Sequence, residues 1–188
     1  MRFLRPLFWE SIQNLPMIMG FMVAARLLGY SFLLALLALM TGILLGNLVM
    51  HITEPKLHTE PTDSTLKGTF INIVAFVVLS IPFLFYFTAD NLWLSWRTDL
   101  ILGVAAGILL TLVQSTAWEG DKSRMLLHGL AMAVSFPLII IGIRCSLTID
   151  SWLLMLLAGA LITILASAVI VLIDYQSILK EDTGPAPS

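Results

Sequence analysis

LPMIMGFMVAARLLGYSFLLALLALMTGILLGNLVM, residues 15–50, is apolar almost end to end, yet Arg26 stands inside it. Its 36 residues would make one helix ~54 Å long, at about 1.5 Å per residue. A bilayer core is about 30 Å thick, so a single span at ordinary tilt leaves too much helix over. Either residues 1–14 lie on the membrane surface ahead of one long tilted helix, or residues 7–25 form a marginal first span. In the second case the chain turns back near Arg26.

The whole chain shares this character. Of its 188 residues 59% are hydrophobic and 12% charged, with mean hydropathy +0.96. A soluble domain carries about 25% charged residues. Beyond 15–50, further apolar runs cover 68–89, 100–117, 125–143 and 151–173, each near the length of one span. The remaining connectors leave no room for a separate soluble domain. Glu10, Gln13 and Asn14 interrupt the N-terminal apolar region, and no small-residue cleavage site follows, so a cleaved signal is not expected. A single Cys145 excludes an internal disulfide or a multi-cysteine cluster. With net charge −2 and no basic patch, nucleic acid is not an expected partner.

Charge placement favours six spans over five. With six, one side of the membrane holds Arg2, Arg5, Lys56, Lys67, Lys122, Arg124 and Lys180, and the other only Arg26, Arg97 and Arg144. That asymmetry puts both termini in the cytoplasm. With five spans the same residues divide evenly. An internal repeat points the same way. NLPMIMGF, SIPFLFYF and SFPLIIIG each place a proline, Pro16, Pro82 or Pro137, after a basic residue and before a second one. Gly42, Gly107 or Gly159 then follows in a similar apolar phrase, at intervals of 26, 25 and 22 residues.

The expected fold is therefore all-α: a polytopic membrane bundle of six transmembrane helices, arranged as three repeated hairpins. These cover about 7–50, 68–117 and 125–173, within one transmembrane domain of residues 1–175. Residues 51–67 form a cytoplasmic connector, and 176–188 a flexible tail. Five spans behind an N-terminal interfacial helix is the alternative.

The repeated residues have physical roles. Pro16, Pro82 and Pro137 would each remove a backbone hydrogen bond and kink a helix. Ser80 and Ser135 stand two residues before the last two and are placed to serve the freed carbonyls. Gly42 and Gly46, Gly103 and Gly107, and Gly159 and Thr163 are small residues four apart, the spacing that lets helices approach closely in lipid. Trp9, Trp93, Trp96, Trp118 and Trp152 all fall at expected span ends, as in an aromatic belt.

Candidate polar sites are few. Within the apolar runs 28–50, 68–89, 100–117, 125–143 and 151–173 the titratable side chains are His128, Tyr30 and Tyr86. Glu10, with Gln13 and Asn14 about one turn away, is a proton or cation candidate if residues 7–25 span the membrane. If residues 3–14 instead lie at the interface, Leu4, Phe8, Ile12 and Leu15 face lipid and Glu10 is simply wet. Asn47, Asn72, Gln114 and His128 would extend that polar set into a shallow vestibule, though plain interhelical hydrogen bonding also accounts for them. His51 and His128 at cytoplasmic helix ends are too little to specify a haem, and no cofactor is expected.

The connector HITEPKLHTEP, residues 51–61, offers His51, Glu54 and His58 as weak metal candidates. Pro55 and Pro61 are expected to break any helix that would gather them, and no metal motif matches the spacing. A solvated linker is the plainer reading.

No catalytic constellation is visible, so an enzyme is not expected. The leading expectation is an accessory or assembly subunit of a larger membrane complex. Its partners would be the lipid bilayer and other membrane subunits, or a second copy. The alternative is a small transporter or solute-binding subunit for a neutral or apolar substrate, because transporters are often built from repeats. The expected location is a bacterial inner membrane or its equivalent.

Overall fold

The computed structural model describes residues 3–57, 66–88, 96–116 and 122–181. Six helices make up these segments: α1 (Leu4–Leu27), α2 (Phe32–Leu57), α3 (Leu66–Thr88), α4 (Trp96–Ser115), α5 (Lys122–Leu147) and α6 (Trp152–Glu181). No strand occurs among the described residues.

The 15–50 stretch is two helices, not one. The α1 ladder ends where Tyr30 N–H and Ser31 N–H both donate to the Leu27 carbonyl, each at 2.9 Å. Ser31 then opens α2: its carbonyl accepts from Ala35 N–H and its hydroxyl from Leu34 N–H. A side-chain oxygen serving a free N–H of the first turn is an N-cap. Ser151 does the same for α6, toward Leu154 and Met155. Helix α1 runs unbroken through Asn14 and Leu15 and stops at the 28–31 turn, so residues 15–50 do not form one long helix.

One expectation about α2 is corrected. Helix α2 passes through Pro55 to Leu57, so Pro55 does not break it. So near the end, the proline forfeits only the bond its N–H would have given the His51 carbonyl. Helix α6 continues to Glu181, so its last six residues belong to the segment 176–188. Nothing in Ser177–Glu181 opposes a helix, and the breakers Gly184 and Pro185 come later.

Among the described residues, four helical segments are long and apolar enough to cross a membrane: Phe32–Ile52, Trp96–Ser115, Met125–Leu147 and Trp152–Ile173. Leucines on the outward faces of α2 and α6, such as Leu37, Leu44, Leu157 and Leu161, are exposed. In water so much bare apolar surface would drive association. In lipid it is the expected exterior, and we read the chain as an integral membrane protein. Ile73–Phe87 of α3 is a shorter apolar segment. Helix α1 has 24 residues, ~36 Å at about 1.5 Å per residue, but carries Arg5, Glu10, Gln13 and Asn14. It is sheltered accordingly, packing between α2 and α6 and touching α3 and α5. Its polar Gln13 is buried with Ile18, Phe21, Met22, Ala24 and Ala25.

Going round the bundle, α2 packs on α1, α1 on α6, α6 on α5, and α5 on α4. Helix α3 closes the ring with much thinner contacts to α4, α1 and α2. Consecutive helices α3 and α4 are thus less intimate than α4 and α5, and the hairpin pattern is not uniform.

Backbone-to-backbone approach fixes two of the seams. A Cβ on Gly20 would lie 2.5 Å from the Gly42 Cα, and one on Gly42 would lie 2.7 Å from both the Gly20 Cα and the Pro16 carbonyl oxygen. Between α4 and α5, a Cβ on Gly103 would meet the Pro137 Cα at 2.5 Å, and one on Gly107 the Met132 oxygen at 2.6 Å. Only glycine permits such distances. Gly46 and Gly159 differ, since methionine side chains (Met17 and Met22) lie over them. Pro16 therefore meets the glycine of its own hairpin, whereas Pro137 meets Gly103 of the preceding one. Similar sequence phrases make dissimilar contacts.

Candidate functional site

Two features adjoin near the end of the bundle where α3 and α5 finish and α4 begins. The first is a charge cluster. Asp99, in the first turn of α4, is 1% exposed. Arg144, in the last turn of α5, grips it with two bonds, Nε to Oδ2 at 2.5 Å and Nη2 to Oδ1 at 2.6 Å. Tyr86 of α3 donates its hydroxyl proton to Oδ1 at 2.8 Å. The guanidinium lies over the Tyr86 ring, 5.1 Å from its centre, and 5.7 Å from that of Phe87. A planar cation with several donors suits such a forked, stacked site, which lysine would fill poorly. Phe83 and Phe21 extend the aromatic cluster: Phe21 meets Phe87 edge-on at 5.9 Å.

The local fold explains the pairing. An acidic residue at the start of a helix and a basic one at the end of another each complement the helix dipole. Gly103 seated on Pro137 brings α4 and α5 close enough for the forked pair. Sequence reading placed Asp99 one residue outside an apolar run and so missed it. Asp99 and Arg144 meet at the ends of their helices, each neutralising the other. In a chain this poor in charge, an Asp opening one apolar helix and an Arg closing another is the signal available in advance.

The second feature is a partly open cavity of about 110 Å³ between five of the helices. Helices α1, α2, α3, α5 and α6 all contribute walls, including Ile43, Phe76, Phe83, Ile139 and Ile170. Phe87 and Ile143 lie at the charge-cluster end. Its polar lining consists of Asn14, Ser80 and Ser135. Asn14 is held in place: its Nδ2 donates to Glu10 Oε1 at 3.0 Å and reaches Ser167 Oγ on α6 at 3.4 Å. Ser135 donates to the Ala131 carbonyl at 2.6 Å, so its proton does not serve the carbonyl freed by Pro137. Among the described residues, Ser80 has no hydrogen-bond partner, whereas Ser11 and Ser146 bond the carbonyl four residues back.

The other expected site residues scatter. Asn47 is 3% exposed and donates to the Ile43 carbonyl of its own helix at 2.8 Å, and its buried Oδ1 has no partner among the described residues. Gln114 and His128 are half-buried on α4 and α5, away from the cavity wall. Asn72 lies on α3, and its side chain is outside the described residues. His51 is exposed on α2, Glu54 lies one turn on, and His58 is outside the described residues. Among the described residues no three His, Cys, Asp or Glu side chains are placed to hold a metal ion. Thr163 is buried against its own helix, donating to the Gly159 carbonyl.

Arg26 has a separate task. Its two terminal nitrogens donate to the Ile149 and Asp150 carbonyls of the α5–α6 turn, both at 2.5 Å. The guanidinium also stands over the Trp152 ring, 5.0 Å from its centre. Trp96 begins α4, and Trp9 lies edge-on to Phe8 in α1. Trp93 and Trp118 are outside the described residues. Comparison with protein-family models, with curated proteins and with solved structures finds no match to this chain.

Proposed function

We propose that this is a non-enzymatic membrane protein that holds a small, neutral solute inside its bundle, as a transporter or a solute-binding subunit. The cavity carries this reading. Walls from five helices line a partly open hollow that closer packing would have filled. Three prolines lie within α1, α3 and α5, all of which line it. The side chains on its wall are uncharged, so a charged solute entering it would be desolvated at high cost.

A second reading keeps the accessory or assembly role. It draws on α3, whose outward Phe70, Val74, Val78 and Phe85 are exposed and whose inward packing is slight. A partner helix would add what the chain itself omits. One preparation separates the two. After purification in mild detergent, bound proteins and bound small molecules are identified by mass spectrometry. A stoichiometric small molecule lost on filling the cavity with Ala166→Leu supports the solute reading. A stoichiometric protein partner and an empty cavity support the assembly reading instead.

Both readings assume six spans with cytoplasmic termini, in an inner membrane or its equivalent. The 28–31 turn supplies the test, because Tyr30 is 83% exposed there. In a Cys145→Ser background, Tyr30→Cys is expected to react with a membrane-impermeant maleimide added from outside. Reaction only after the cytoplasmic side is opened would refute the topology. Arg26 is unsuited to this experiment because it holds the α5–α6 turn.

A further inference from the structure

We infer that the cavity selects a compact neutral molecule bearing one hydroxyl group on a ring-sized apolar body, with phenol as the prototype. This rests on the solute-binding reading above and narrows it.

Size comes first. An apolar cavity of roughly 150 Å³ accommodates benzene and stays dry when empty. At about 110 Å³, this cavity suits one six-membered ring or a short branched chain, given small movements of its walls. Phe76, Phe83 and Phe136 offer aromatic surface to such a body.

Polarity comes second. A purely apolar cavity would be expected to carry no hydroxyl left to itself. A membrane-helix serine ordinarily bonds the carbonyl four residues back, as Ser135 does. The Ser80 hydroxyl makes no such bond among the described residues and lies on the cavity wall. It can both donate to and accept from a ligand hydroxyl. Ser135 has given its proton away but keeps an acceptor oxygen on the same wall. Two serine oxygens and no charge match a neutral alcohol or phenol, and not a carboxylate or an amine.

Position comes third. Ser80 stands two residues before Pro82 on α3, the helix most lightly held by its neighbours. Proline interrupts the ladder there, so the segment carrying the hydroxyl is also the one most easily displaced.

The test uses the full-length protein in detergent, with fluorobenzene, 4-fluorophenol and 4-fluorobenzoate as probes read by fluorine NMR. 4-Fluorophenol is expected to bind about tenfold more tightly than fluorobenzene, the worth of roughly one hydrogen bond. Ser80→Ala removes that preference and leaves fluorobenzene affinity unchanged. Ser80→Cys, which keeps the volume and weakens the bond, gives an intermediate preference. Equal binding of the two neutral probes, a preference that survives Ser80→Ala, or comparable binding of the benzoate would overturn the inference. With fluorobenzene still bound, those outcomes leave the solute-binding reading intact. Failure of every probe to bind would overturn both.

Discussion

Asp99→Ala is expected to destabilise the bundle by about 3–5 kcal/mol, the usual result of removing one member of a buried ion pair. The cost is not the worth of the bond itself. It is the cost of leaving the Arg144 guanidinium at the edge of an apolar core, over Tyr86 and Phe87, with no anion beside it. Arg144→Ala should cost a similar amount, for the mirror reason: Asp99, 1% exposed, would retain only the Tyr86 hydroxyl. The double replacement Asp99→Leu with Arg144→Met removes both charges together and should cost less than either single change. Tyr86→Phe keeps the ring under the guanidinium and should cost only about 1 kcal/mol. Unfolding in mixed detergent micelles, followed by tryptophan fluorescence, measures all four. Single replacements costing under ~1 kcal/mol would mean that the pair behaves as a surface one.

The second large effect concerns a residue without a side chain. Gly42→Leu should force α1 and α2 apart, because even the first added carbon meets backbone at 2.7 Å. Backbone cannot rotate out of the way, and overpacking a fitted seam costs about 1–3 kcal/mol or more. Gly103→Ala should behave alike, since its obstacle is the Pro137 backbone and ring. Gly46→Ala and Gly159→Ala provide the contrast. Their nearest obstacles are side-chain atoms of Met17 and Met22, and a methionine can re-pack. Gly29→Ala is the control, with nothing within 4 Å of the new carbon. The same unfolding measurement should rank Gly42→Leu and Gly103→Ala far below the others. A ranking by helix propensity alone would show that the seams do not depend on close approach.

These cases also show how far the sequence could be read. The break near Arg26 was legible because 36 residues are too many for one span, and the polar Ser31 supplies an N-cap beside it. The neighbours of each helix were not legible. In a soluble protein an apolar stripe marks the inward face, but here lipid and core are equally apolar. The mean apolar character of α2 or α6 therefore says little about what each touches. Gly42 and Gly103 read alike in sequence, yet one meets its own hairpin and the other the next. Asp99 was missed because a hydropathy run ends where a charge begins, while the helix begins three residues earlier at Trp96. Ser80 was legible as a residue near a kink, but its unmet hydroxyl depends on which helix face turns inward.

The grip of Arg26 on the α5–α6 turn also has a meaning in time. Its acceptors Ile149 and Asp150 follow it by more than a hundred residues. At the usual synthesis rate of about 5–20 residues per second, they emerge roughly 6–25 seconds after it. Asn14 waits longer still for Ser167. During that interval the most polar helix of the bundle has been made and most of its partners have not. Its companion through the wait is α2, joined where Gly20 lies against Gly42. The glycine seam is thus a temporary mooring for α1 during synthesis, and the last hairpin is what relieves it.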